Sequence, residues 1–170
     1  MLFTSHAIVG AAVGAAAGNP LYGFLGGIAS HHVLDAIPHF DQGSFAVKKE
    51  GAQYLGQKAE YAERHFTDRD WAILFADVAL TALISGALFW TLPFEYLLLA
   101  FAGMLGGLLP DIVDSSPLWS KKLRAAVGAV AAYHAFHAFF HWTVPLRRFW
   151  LGIATQVAAV GFALLFLFDL

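Results

Sequence analysis

The chain has 170 residues, enough for one domain, yet 59% of them are hydrophobic and only 13% are charged, with a mean hydropathy of +0.63. Soluble domains are about a quarter charged, so this composition argues against one and for an integral membrane protein. A net charge of −2, with no dense run of Lys and Arg among aromatics, argues against a nucleic-acid partner, and the lack of cysteine leaves His and carboxylates to hold any metal.

The opening stretch "MLFTSHAIVGAAVGAAAG" has no Lys or Arg, and none occurs before Lys48, so it lacks the basic flank of a secretory signal and reads as retained. Thr4 or Ser5 is the expected cap of a first helix that ends at Gly18-Asn19-Pro20. Gly10, Gly14 and Gly18 recur every four residues, which suits close helix contact in lipid. A second helix is expected from about Leu21 to Ile37, stopped by Pro38. Both are short for a bilayer core, which takes about 20 apolar residues, and they predict a tight hairpin entering part of the membrane.

Residues 42 to 70 hold five of the ten basic and five of the twelve acidic residues, a solvated loop with a short helix expected at about Gln53 to Arg64. His65 belongs to it. Thr67 and Asp70 form a capping-box pattern ahead of a 20-residue span, "WAILFADVALTALISGALFW". Asp77 lies inside that span, either bonded to another helix or facing a metal cavity. The next span starts at Pro93, with Glu95 in its first turn, and is expected to end at Pro110. Its Gly103, Gly106 and Gly107 read as close-packing positions. The last span is "FWLGIATQVAAVGFALLFLF", after Arg147 and Arg148. Trp71, Trp90, Trp119, Trp142 and Trp150 fall near the predicted helix ends, as in an interfacial belt.

Residues 118 to 142 are helical by pattern. If they cross, Arg147 and Arg148 are separated from the other eight basic residues; if they do not, all ten lie on one side, which the positive-inside rule makes cytoplasmic. The non-crossing arrangement is preferred, with the 42 to 70 loop inside the cell, the C-terminus outside and the chain in the inner (cell) membrane. The expected fold is all-α, a single membrane-embedded bundle of about five to six helices.

The chemistry is concentrated in "HHVLDAIPHFD", "LLPDIVD" and "YHAFHAFFH". His31 and His32 stand four and three residues before Asp35, so one of the two rings lies beside that carboxylate, and His39 and Asp41 follow past Pro38. His134, His137 and His141 form one helical stripe, a natural metal-ligand array. Asp111 and Asp114 add carboxylates three apart, and His6 stands near the first helix start. Mixed His and Asp ligands suit Zn²⁺, Mn²⁺ or Fe²⁺ rather than Ca²⁺ or Mg²⁺, and eleven candidates suggest two or three ions, Zn being the leading choice. Taken singly, each group has a plainer reading: interfacial histidines, helix-capping aspartates. Their convergence near helix ends on one side favours a site.

Together "TSHAIVGAAVG", "HHVLDAIPHFD", "GGLLPDIVD" and the late His-rich helix resemble the YdjM-type predicted membrane-bound metal-dependent hydrolases, a family distantly similar to the zinc-dependent phospholipase C and P1 nuclease group. The resemblance implies a helical bundle, phosphoester hydrolysis and metal-site positions at His6, His32, Asp35, Asp41, Asp111, Asp114, His137 and His141. Where the family pattern continues with Arg-x-x-Thr-His-Ser, this chain has "YHAFHAFFHW" without Arg, leaving Lys121, Lys122 or Arg124 to stand in for the missing phosphate-binding group. The expected activity is hydrolysis of a phospholipid or other membrane-associated phosphoester, with His39 and His134 added to the metal set and Asp35 or Asp114 as proton acceptor. The alternatives are a non-catalytic metal sensor, carrier or scaffold, and a metal-free histidine switch responding to pH.

Overall fold

The computed structural model describes residues 1–40, 67–144 and 148–170, and over these it is all-helical. Its helices are α1 (Phe3–Ala16), α2 (Pro20–Asp35), α3 (Asp68–Thr91), α4 (Phe94–Asp114), α5 (Ser120–Ala126), α6 (Gly128–Phe140) and α7 (Phe149–Phe168). Asp41, His65, Arg147 and the helix expected at 53–64 lie outside the described residues.

α1 and α2 form the expected hairpin. Gly18 turns the chain at φ +64°, a conformation that favours glycine, and the Asn19 side chain accepts from the Leu21 and Tyr22 amides to cap α2, with Pro20 in its first turn. The cap of α1 differs from expectation. Thr4 and Ser5 lie within the helix, and its first amides are buried beside α3, where Asp77 accepts from Phe3 N (2.6 Å), Thr4 N (3.2 Å) and the Thr4 hydroxyl (2.6 Å). Asp77 thus bonds another helix and does not appear in the metal-competent groups described below.

The hairpin packs on α4 with almost no space between backbones. A methyl group at Gly103 would overlap the Gly10 carbonyl and the Gly14 backbone, and one at Gly107 would overlap the His6 carbonyl. Gly27 of α2 meets the same stretch of α4. Gly18 has no such neighbour, so in the early glycine series only Gly10 and Gly14 are contact positions.

Thr67 and Asp70 form the capping box that starts α3. α4 runs on through Pro110, one turn past its expected end. Proline removes one donor, but Asp114 beyond it is anchored by Arg124 and two histidines, which keeps that turn helical. The 118–142 segment is two helices, broken where Val127 turns extended (φ −128°, ψ 104°), which accounts for a helix beyond the expected five or six.

Among the described residues three helices, α3, α4 and α7, are long and apolar enough to cross a membrane. α6 is 13 residues and falls short of the roughly 20 that a crossing takes. α3 and α7 turn large apolar side chains outward, among them Leu83, Phe162 and Leu165.

Candidate metal centre

The site forms where α4 ends and α3 and α7 begin, and the backbone assembles it. After α2, the chain pairs with the segment that follows α6: Trp142 N donates to Asp35 O, His39 N to Trp142 O and Val144 N to His39 O. This short parallel bridge of His39 with Thr143 places His39 and His141 with ring centroids 5.4 Å apart. α7 fastens the same strip, with the Thr155 hydroxyl donating to Pro38 O (2.6 Å) and Gln156 Nε2 to Phe40 O (2.8 Å). Gly152 lets α7 lie directly against His39 and Phe40.

Asp35 is the hub. Its Oδ1 lies 3.2 Å from His6 Nε2 and 3.8 Å from His39 Nε2, and its Oδ2 lies 3.1 Å from Nε2 of each of His31, His137 and His141. The amino group of Met1 is 2.9 Å from Oδ1. Asp111 stands across the cluster, 3.9 to 4.0 Å from Nε2 of His6, His31 and His137. Asp35 and these five histidines are shut off from solvent, whereas the Asp111 side chain keeps 12% exposure.

Three of the rings are aimed by their outer nitrogens. His31 Nδ1 donates to Gly107 O (2.7 Å) and His39 Nδ1 to Ile37 O (2.8 Å), since a carbonyl can only accept. His137 Nδ1 meets Asp114 Oδ2 at 3.0 Å. In the neutral rings, each inner Nε2 then carries a lone pair, and the lone pairs converge on one another and on a carboxylate. His31 and His137 face each other at 2.9 Å, and His137 and His141 at 3.3 Å.

Such an arrangement needs positive charge at its centre. His6 Nδ1 and His39 Nε2, both buried, find no hydrogen-bond partner among the described residues. Metal–nitrogen bonds of about 2.0–2.1 Å give a tetrahedral ligand set edges of about 3.3 Å. The His31–His137–Asp35 triangle has edges of 2.9, 3.1 and 3.1 Å, and the His137–His141–Asp35 triangle 3.3, 3.1 and 3.1 Å. Three groups can each offer atoms to one ion: His6, His31 and Asp111; Asp35, His39 and His141; His31, His32 and His137. The first two share no residue, so each could hold an ion of its own.

Asp114 and His134 stand further out and belong to none of these groups. Asp114 is buried, with His134 Nδ1 2.6 Å from its carboxylate, His137 on Oδ2, and Arg124 Nη1 donating to its carbonyl (2.6 Å) and to Oδ1 (3.1 Å). It therefore orients His137. Arg124, considered above as a stand-in phosphate ligand, is held in this pair.

His32 turns away from Asp35, its Nε2 3.2 Å from the Tyr133 hydroxyl among Phe136 and Phe140. Burial is the main cause that lowers its pKa to about 4. For His137 burial opposes the charged form as well, but the hydrogen bonds to Asp114 and Asp35 outweigh it and push the pKa up to about 9. Sequence reasoning left open which of His31 and His32 points inward, and the i, i+4 spacing of His31 and Asp35 was the signal. Gly107 was read only as a packing residue, yet its carbonyl also aims His31.

Comparison of the chain with protein-family models, with curated proteins and with solved structures finds no match.

Proposed function

We propose that this protein is a membrane-embedded, metal-dependent phosphoesterase, with its site at the cytoplasmic side. The observation that carries this reading is the set of buried imidazole nitrogens converging on Asp35 and Asp111, in groups that could each hold an ion. Zn²⁺ suits the mixed His and Asp donors best. His6, His31, Asp111, Asp35, His39 and His141 would hold two ions, with His137 and His32 completing the shell. Such ions supply Lewis acidity, making a water nucleophilic at neutral pH and neutralising charge on phosphoryl oxygens.

The chain's residues do the rest. Asp35 and the rings around it fix the donor geometry, and Asp114 sets the tautomer of His137. Among the described residues Asp111 is the acid that both faces the cluster and keeps exposure, so one of its oxygens would lie on the ion and the other would take the proton of the attacking water, the role first expected of Asp35 or Asp114. The water oxygen bonds to phosphorus, the ester P–O bond breaks, and Asp111 returns the proton it took from water to the leaving oxygen. The YdjM-type resemblance supports the same reaction.

A metal carrier would need ligands through the membrane depth, whereas these gather at one end of the spans. A closed scaffold site would not keep Asp111 exposed. The test is elemental mass spectrometry of detergent-purified protein, alongside Asp35→Ala and His137→Ala variants. Two equivalents of Zn or Mn per chain, lost in both variants, support the reading. No metal after chelator-free purification and metal addition refutes it in favour of a histidine switch.

A further inference from the structure

Beside Asp111 a cavity of about 570 Å³ runs between α3 and the end of α4. Its walls are Trp71, Leu74 and Val78 on α3 against Ile112, Leu118 and Trp119, and its inner end is formed by Met1, Leu2 and Phe3 of the α1 start, which carries His6. The volume is that of a small-ligand site.

Its chemistry narrows the ligand. The lining is almost wholly apolar, and among the described residues it contains no Lys or Arg. Its acids along α3 are engaged: Asp70 closes the capping box with Thr67, and Asp77 caps α1. An anionic group is therefore disfavoured along the length of the cleft and admissible only at the Asp111 end, where cations would be held. Trp71 to Val78 covers about 10 Å of helix at 1.5 Å per residue, at the end of a span where indole rings mark headgroup depth. Val78 and Leu118 are 44% and 63% exposed, so the walls are continuous with surfaces that lipid would cover.

We infer that this cleft holds the hydrocarbon chain of a lipid phosphate ester, with the phosphate at Asp111. The inference rests on the phosphoesterase reading for the headgroup, but the chain site is tested by itself. Full-length protein in nanodiscs is irradiated with phosphatidic acid carrying a diazirine in its acyl chain, and the labelled peptides are mapped by mass spectrometry. Labelling is expected within residues 71–78 and 112–119, suppressed by excess unlabelled phosphatidic acid but not by glycerol 3-phosphate, which has the head without the chain.

Val78→Trp, which fills the cleft, and Leu118→Asp, which charges its mouth, are expected to reduce that labelling about tenfold, equivalent to ~1.4 kcal/mol, with metal content and melting temperature unchanged. Labelling spread over the outer faces of α3 and α7, unaltered by both variants, overturns the inference. Labelled cleft peptides with no hydrolysis of phosphatidic acid would keep the chain site and remove the hydrolase reading. Hydrolysis of p-nitrophenyl phosphate with an unlabelled cleft would do the reverse.

Discussion

His31 Nε2 and His137 Nε2 face each other across 2.9 Å, while their outer nitrogens are committed to Gly107 O and Asp114. Two neutral rings so held would oppose lone pair to lone pair. In the metal-free protein a proton sits between them, on His137, whose pKa stands at about 9. On the proposed reading, a metal bound at these rings would displace it. Calorimetric titration of stripped protein with Zn²⁺ at pH 7, in buffers of different ionisation enthalpy, is expected to show proton release on binding; buffer-independent heats would contradict it.

The same groups set a stability optimum for the stripped protein. His137 is raised above its ordinary value of 6.5, so the stability it contributes is complete below pH 6.5 and disappears as pH rises through about 9. His32 is lowered to about 4, so acidification from pH 6.5 toward 4 favours the unfolded chain, which binds the proton more readily. Melting temperature in chelator is expected to peak near neutrality and fall on both sides. A monotonic profile would be inconsistent with these environments.

Asp114→Asn keeps the shape of the side chain but weakens its hold on His137 and Arg124. Loss of such a supporting carboxylate costs about 10- to 100-fold in metal affinity. Zn²⁺ competition against a fluorescent chelator checks this, and an unchanged affinity would show that His137 is aimed by other means.

Gly107→Ala should be far more damaging than Gly86→Ala. At Gly107 a methyl group meets the His6 backbone, and overpacking of this kind costs about 1–3 kcal/mol while displacing the His6 turn from the cluster. At Gly86 nothing lies within 4 Å, and alanine there is expected to be neutral or slightly stabilising. Thermal denaturation and metal content of the two variants, measured together, make the comparison.

Asp77→Ala removes the acceptor of two α1 amides and of the Thr4 hydroxyl. A destabilisation of about 0.5–2 kcal/mol is expected, as for loss of an N-cap, with two ions still bound in the folded fraction. Loss of metal in fully folded protein would show that Asp77 serves the centre directly.

Much of this was legible from residue spacing. The spans of α3, α4 and α7, the Thr67 capping box, the Gly18 turn and the gathering of His6, Asp35, His39, Asp111, His137 and His141 follow from hydropathy, local turn chemistry and the His and Asp pattern. What was not legible depended on contacts between distant segments. The cap on α1 comes from a residue more than seventy positions away, the helix beyond Pro110 is sustained by Arg124 and two histidines, and His31 is aimed at Asp35 by the Gly107 carbonyl. The bridge between His39 and Thr143, which brings the two histidine runs together, has no local signature at all.

The bridge also orders the protein's biogenesis. His6, His31, Asp35 and His39 leave the ribosome first, and His141 follows about 100 residues later, a delay of about 5–20 s at ordinary rates of synthesis. For the first part of that interval, until α4 (Phe94–Asp114) is made, the short hairpin carries these residues with no α4 to dock against. On the proposed reading the Asp35, His39 and His141 group is completed only when His141 emerges, so a chain truncated before residue 141 would lack that ion's site while keeping the His6, His31 and Asp111 group.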